Sequence, residues 1–232
     1  MEPAIYSPEM TINKRHLMDN PLTLVIATRN PGKTREIRDI LKNFPIAVKN
    51  LDDFGPLPEA IEDGATFDDN AYKKSSFMAR ILGMPALADD SGLCVAALDG
   101  APGVYSARYA GENATDAENC AKLLAEMKGK EDRRAAFHCV ISIAVPSGAA
   151  LTYEGRCEGL LLESPRGENG FGYDPLFFFP ELGQTFAQIP QAEKSRVSHR
   201  GKALGELKNE FDKVLTWIGQ QMPKEEKFPC GK

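Results

Sequence analysis

Four short stretches of this 232-residue chain gather residue types that act on phosphates and heteroaromatic rings. The first is Thr28-Arg29-Asn30-Pro31-Gly32-Lys33, directly after the apolar run 22–27. Asn30 suits an N-cap and Pro31 the first helical position, so a helix should begin there. A helix N-terminus offers free backbone N–H groups at the positive end of its dipole, an arrangement that binds phosphate. Lys33 adds a full charge, and Thr28 and Asn30 add hydrogen-bonding side chains. Ordinary helix capping would use the same residues. The second stretch is Asp89-Asp90-Ser91-Gly92. Neighbouring side chains on a strand face opposite ways, so both carboxylates reach one site only if the backbone turns, which Ser91-Gly92 permits. Paired carboxylates suit a hard cation such as Mg²⁺, and either could orient and deprotonate a water. A solvated Asx turn is the alternative.

The third stretch, Gly167-Glu168-Asn169-Gly170-Phe171-Gly172-Tyr173-Asp174-Pro175, sets aromatic rings between glycines. Such rings can stack a nucleobase, with Asp174 accepting from ring N–H groups, or they can pack down as a long hairpin loop. The fourth concentrates Lys194, Arg196, Arg200 and Lys202, with His199 added if protonated, where a last helix should begin. That run reads either as a solvated helix face or as a donor-rich site. His138, inside an apolar strand, reads as a satisfied core residue. One ligand class satisfies all four stretches: a nucleoside triphosphate with its metal.

The elements that must position these residues follow from periodicity. Residues 22–27 form a short strand feeding a helix whose inward positions are Ile37, Ile40, Leu41 and Phe44. A Pro-rich connection leads to a second helix capped by Thr66 and Asp69, with Ala71, Ser75, Met78, Ala79 and Leu82 inward and Gly83 as its stop. The run from Ala86 to Leu98 reads as two short strand pieces broken by the acidic turn. A third helix is capped by Thr115 and Glu118 and should turn Ala117, Ala121, Leu124 and Met127 inward. Two strands joined at Pro146-Ser147-Gly148 form a hairpin, and a long closing helix carries Leu204, Leu207, Phe211, Val214, Leu215 and Ile218. The fold class is therefore α/β: a two-lobed mixed β-sheet with flanking helices and a central nucleotide-binding cleft. Residues 21–220 read as a single domain, with a flexible N-terminal extension over 1–20 and a C-terminal tail over 221–232.

Composition bounds the partners. The chain is 42% hydrophobic and 26% charged, which is globular, and its formal net charge of -5 argues against a nucleic-acid partner held by a general basic field. Five scattered cysteines outline neither a disulfide frame nor a zinc site, which fits a cytoplasmic protein. No apolar run reaches the roughly 18 residues of a membrane span.

Seven motifs, T-x-N-x-x-K, T-F-x-x-N-A-x-x-K, A-D-D-S-G-L, G-A-P-G-V-Y-S-A-R-Y-A-G, F-H-C, G-F-G-Y-D-P and E-K-S-x-x-S-H-R-G-x-A, occur in that order. In this the chain closely resembles the inosine triphosphate pyrophosphatase family, the Ham1-like dITP/XTP pyrophosphatases, from about residue 24 to 217. The resemblance implies Mg²⁺-dependent hydrolysis of ITP, dITP and XTP to the monophosphate and pyrophosphate by a homodimer. It implies that residues 28–33 hold the triphosphate and that Lys74 approaches the phosphates. Asp90 would be proton acceptor and metal ligand, and Ser91 would contact substrate. Phe171, Gly172, Tyr173 and Asp174 would form the base pocket, with Lys194, His199 and Arg200 reading the base. Family members often carry E-E-T-G where this chain has Ile61-Glu62-Asp63-Gly64. Glu62 is the expected second metal ligand, with Glu59 as its rival.

Overall fold

The structure, a computed structural model, describes residues 21–222; the expected N-terminal extension and all but the first two residues of the expected tail lie outside the described residues. Local capping chemistry sets the helices. Asn30 caps α1 (Pro31–Leu41), which buries Thr34, Ile37 and Leu41. Thr66 and Asp69 form a reciprocal capping box on α2 (Phe67–Leu82), and Gly83 closes it in the left-handed conformation. Thr115 and Glu118 cap α3 (Asp116–Glu126) in the same way. Its buried stripe is Asn119, Leu123 and Met127, while Ala117 and Ala121 face solvent. Met127 faces inward as expected and Leu124 is partly buried, but Leu123 replaces Ala117 and Ala121 in the stripe, since burying a leucine removes more apolar surface from water than burying two alanines would. Helices α4 (Gln191–Val197) and α5 (His199–Gln221) end the described chain.

Seven strands, β1 (Leu22–Ile26), β2 (Ile46–Asn50), β3 (Ala86–Val95), β4 (Arg134–Ala144), β5 (Ala150–Leu161), β6 (Phe177–Phe179) and β7 (Gln184–Thr185), form one mixed sheet in the order β2-β1-β3-β4-β5-β6-β7. β1 lies parallel to β2 and β3, and every later pairing is antiparallel. The hairpin at Pro146-Ser147-Gly148 is the β4–β5 connection, as its turn chemistry predicts. Apolar side chains divide by parity. Leu24, Ile26, Leu87, Cys139, Ile141 and Ile143 face α1 and α5 in one core. Val25, Ala27, Ala86, Ala88 and Ala144 face α2 in a second. A third core holds Leu93, Phe137, Phe177 and Phe186 with Leu123 of α3 and its C-cap Met127 in the far half of the sheet. The two lobes are these near and far halves.

The acidic turn expected at Asp89-Asp90 does not exist. β3 runs unbroken for 10 residues, and each pairs with β4 from Ala86↔Ala144 to Val95↔Ala135. The ladder carries Ser91-Gly92 through as strand. Gly92 is needed there for a different reason: a Cβ would lie 2.6 Å from Ser106 Oγ and overlap the carbonyl of Gly103, in the 3-10 turn Gly103–Arg108 that packs on β3. Asp89 consequently shares a face with the α1/α5 core and Asp90 shares the α2 face. Asp90 reaches open space while Asp89 stays buried beneath it, and that space exists because β1 pairs with β3 only at Val25↔Ala86 and Ile26↔Leu87. Beyond Leu87 the two strands separate, and the cleft opens at that edge.

Gly155 docks the closing helix. A Cβ there would overlap the carbonyl of His199 and lie 2.7 Å from Ala203 N, both backbone atoms of α5. Gly155→Ala is expected to cost about 3 kcal/mol by pushing α5 off β5, and a lowered urea midpoint would register it.

Candidate functional site

A cleft of about 420 Å³ sits where β1 and β3 part. It is lined by Thr28, Arg29, Asn30, Lys33, Lys74, Asp90, Ser91, Phe171, Gly172, Tyr173, Asp174, Lys194, His199 and Arg200, and by both Glu59 and Glu62. Pro31 and Gly32 are not among the lining residues, although Phe171 Cε1 is 3.7 Å from where a Gly32 Cβ would be.

The expected free N–H groups of α1 are already occupied. Asn30 Oδ1 accepts from Gly32 N at 2.9 Å and Lys33 N at 3.1 Å, Thr34 N donates to Asn30 O, and Pro31 has none to give. A phosphate here meets side chains first. Thr28 Oγ1 accepts from Asn30 N at 3.2 Å, which fixes the loop. Arg29 turns toward the Pro-rich connection, donating to Leu57 O at 3.0 Å and pairing with Glu59 at 3.2 Å.

The two aspartates meet different cations. Asp89, with its side chain fully buried, takes Lys33 Nζ at 3.0 Å and Arg200 Nε at 3.2 Å on Oδ2 and also accepts from Ser91 Oγ. Burial alone would raise its pKa, but the Lys33 and Arg200 charges outweigh that and hold it well below the usual carboxylate range. Its Oδ1 is buried with no hydrogen-bond partner among the described residues. Asp90 and Glu62 converge instead on Lys74 Nζ, at 2.7 and 3.0 Å. Burial raises the pKa of Asp90 against the pull of Lys74, with Glu62 adding to the rise, so Asp90 is a stronger base than a free carboxylate. Burial would lower that of Lys74, yet the Asp90, Asp89 and Glu62 charges raise it, keeping the ammonium protonated.

The opposite wall is aromatic and basic. Phe171 is 37% exposed, with Lys194 Nζ 4.9 Å and Arg200 Cζ 5.7 Å from its ring centroid. Tyr173 also touches the cleft but is buried, packs into the far core and donates to Ser106 O at 2.8 Å, so of the two rings Phe171 is the one open to stacking. Asp174 is buried, accepting from Phe171 N and pairing with Lys194. Arg200 also pairs with Glu36 at 2.9 Å. The basic run divides: Lys194 and Arg200 are buried and matched by acids, while Arg196 and Lys202 are exposed on the solvated side. His199 stacks on Phe137 at 4.7 Å, and burial together with the Arg200 and Lys194 charges drives its pKa well below the usual imidazole value. It is neutral at pH 7, which removes it from the cation count, and its Nδ1 has no partner among the described residues. His138 stays out of the cleft, half-buried and stacked on Phe67 at 6.0 Å.

Sequence reasoning assigned no role to Arg108, Asp116, Asn119 or Phe137, all of which line the cleft. Arg108 did leave a trace, as the one cation within Gly-Ala-Pro-Gly-Val-Tyr-Ser-Ala-Arg. Asp116 Oδ2 accepts from Gly172 N at 2.7 Å and so holds the aromatic loop against α3.

A mixed sheet that splits to gather lysines, arginines, carboxylates and an exposed aromatic ring in one cleft defines an α/β protein suited to a small polyanionic ligand. The chain belongs to the Ham1 family, whose profile matches residues 24–210. It is 64% identical over 195 residues to a dITP/XTP pyrophosphatase of Syntrophobacter fumaroxidans, covering 84% of each chain. To the dITP/XTP pyrophosphatase of Desulfotalea psychrophila it is 61% identical over 202 residues, covering 87% of this chain and 91% of that one. Among solved structures, a HAM1 protein from Coxiella burnetii superimposes with a TM-score of 0.78 at 44% identity, covering 84% of this chain and 99% of the other.

Proposed function

We propose that this protein is a Mg²⁺-dependent hydrolase that converts ITP, dITP and XTP to the nucleoside monophosphate and pyrophosphate, clearing deaminated purines from the nucleotide pool. The observation that carries the reading is the convergence of Asp90 and Glu62 on one ammonium, in the same cleft as Lys33 and Phe171, in a chain 64% identical to a named dITP/XTP pyrophosphatase.

The donor set fits Mg²⁺. Lys74 Nζ lies between the two carboxylates as a cation would, and all the donors are oxygens. Among the described residues no group of three or more His, Cys, Asp or Glu could hold a metal ion. Mg²⁺ keeps several waters and shares substrate phosphates, so the pair Asp90 and Glu62 would be enough to hold it. Glu59 is engaged by Arg29, which favours Glu62 as the second ligand. When bound, Mg²⁺ supplies charge neutralisation on the phosphates and on the pyrophosphate leaving group.

The residues of the chain do the rest. Lys33, with Thr28 and Asn30, holds phosphate oxygens, and Asp89 sets the position of Lys33. Asp90 accepts the proton of a water attacking the α-phosphorus, while Lys74 steadies Asp90 and meets the developing phosphate charge. Phe171 stacks the purine and Ser91 contacts the substrate. Arg200 and an N–H of neutral His199 donate to the 6-oxo oxygen of hypoxanthine or xanthine. Adenine would turn its 6-amino group toward these donors and leave them unpaired, a penalty of about 1–3 kcal/mol.

Residues 21–220 act as one catalytic domain in this reading, and two copies pair as a homodimer. The net charge of -5 speaks against a nucleic-acid partner, and no helix among the described residues is long and apolar enough to cross a membrane. The four described cysteines are free thiols, which supports a cytoplasmic setting. The test is a pyrophosphate-release panel over ITP, XTP, dITP, ATP and GTP with and without Mg²⁺. Release of pyrophosphate from the first three, lost without Mg²⁺, is expected. Orthophosphate as the first product from ITP would overturn the reaction assignment.

A further inference from the structure

We propose that Arg108 is a positioning residue that holds Glu62 at the metal site, an inference that rests on the reading above. Glu62 needs such a support because its segment has little of its own. Residues 57–63 lie in neither helix nor strand, and among the described residues they form no backbone–backbone hydrogen bond. Their carbonyls are taken instead by two arginines from outside the segment: Arg29 reaches Leu57 O, and Arg108 Nη2 donates to Glu62 O at 3.0 Å. The second of these bonds lands on the very residue whose carboxylate meets Lys74 and faces Asp90.

Arg108 is suited to the task because its own backbone is fixed. It closes the 3-10 turn Gly103–Arg108, which is tied down on three sides. Ser106 Oγ accepts from Leu93 N of β3 at 2.9 Å and donates to Gly103 O at 2.6 Å. Tyr173 donates to Ser106 O at 2.8 Å, and Asn119 of α3 donates to Ala107 O at 3.1 Å and accepts from Ala110 N at 2.8 Å. The guanidinium lies 5.4 Å from the Tyr105 ring and makes only a loose 3.8 Å contact with the exposed Glu112. The bond to Glu62 O thus joins a rigid turn to a segment whose other polar ties come from Arg29 and from the Lys73–Asp63 and Lys74–Glu62 side-chain pairs, so its loss frees the Glu62 backbone more than it frees the arginine. Outer partners of metal ligands typically tune affinity by about 10–100-fold.

The experiment measures Mn²⁺ binding by electron paramagnetic resonance on the full chain with a non-hydrolysable α,β-methylene ITP analogue. The Mg²⁺ dependence of pyrophosphate release is measured in parallel. Arg108→Ala is expected to weaken Mn²⁺ about 10-fold and to raise the half-saturating Mg²⁺ by a similar factor. At saturating metal, kcat should return to within about three-fold of the parent and KM for ITP should stay unchanged. Arg108→Lys, which can still donate to a carbonyl, should recover part of the loss and guards against simple misfolding of the alanine variant. In a Glu62→Gln background Arg108→Ala should add nothing, since the two act through one carboxylate. An unchanged Mn²⁺ affinity, or an equal loss in the Glu62→Gln background, overturns the inference alone. A raised KM for ITP with normal metal affinity also overturns it, making Arg108 a substrate ligand. Absence of metal-dependent pyrophosphate release in the parent chain sinks the function reading and this inference with it.

Discussion

Asp90→Asn is expected to lower kcat for pyrophosphate release from ITP by about a thousand-fold or more while the protein stays folded. The side chain is nearly isosteric, and the amide oxygen still accepts from Lys74 Nζ, which now sits at 2.7 Å from Asp90 Oδ1. Two capacities are lost together. An amide cannot take a proton from the attacking water, a contribution of about 10²–10⁴ on its own, and it is a poor donor to a hard cation. Stability should hardly move. Asp90 is buried beside a second carboxylate, and burial disfavours its ionised form, so a neutral group there relieves desolvation and like-charge repulsion. The measurement pairs single-turnover kinetics with a urea melt: activity at background with an unchanged midpoint is the expected result. If more than about a tenth of the activity survives, proton transfer belongs elsewhere, with Glu62 the next residue to change.

Where one local signal decides the structure, the sequence was readable. Thr66 with Asp69, and Thr115 with Glu118, each carry a capping box within four residues, and both boxes form as expected. Asn30-Pro31 starts α1, Pro146-Ser147-Gly148 turns the hairpin, and the apolar stripe of α5 follows from its spacing. What could not be read depends on partners distant in the chain. Whether Ser91-Gly92 is a turn or continuous strand is decided by the β4 ladder some 50 residues away, and that choice puts Asp89 and Asp90 on opposite faces. The same distance hides which acid meets which base: Arg200 finds Asp89 at a separation of 111 residues and Glu36 at 164. The self-capping of α1 was hidden for the opposite reason. Asn30 was visible, but one side chain satisfying two N–H groups that a phosphate would otherwise use is a matter of rotamer. Arg29 and Arg108 were legible as charges, yet their targets are backbone carbonyls, which carry no residue-type signature. The cleft-lining residues were thus findable by type and order, while the split between an Asp90 that lines the cleft and an Asp89 buried behind it needed the folded sheet.

That split makes the neighbouring substitution behave differently. Asp89→Asn is expected to cost about 3–5 kcal/mol of folding stability, a large share of the roughly 5–15 kcal/mol that holds a typical domain. The fully buried Asp89 carboxylate is the counter-ion of Lys33 and Arg200, and Arg200 is itself only 3% exposed. Removing the charge leaves Lys33 uncompensated and Arg200 with Glu36 alone, and stranding a buried cation costs more than the pair contributes when intact. A urea melt at pH 7 should show the midpoint falling with little change in slope. The double variant Asp89→Asn/Lys33→Met should regain part of the loss, because it removes the stranded ammonium. The acid limb supplies a second check whose sign is fixed. Since the folded-state pKa of Asp89 lies below its unfolded value of about 4, its contribution is fully present above that value. It fades as pH falls from there toward the folded pKa. The stability gap between parent and variant should therefore be constant at neutral pH and narrow below about pH 4. A gap that persists undiminished into acid would mean that the asparagine side chain destabilises by packing, and that the Lys33–Asp89–Arg200 cluster is not what fixes α1 and α5 around the cleft.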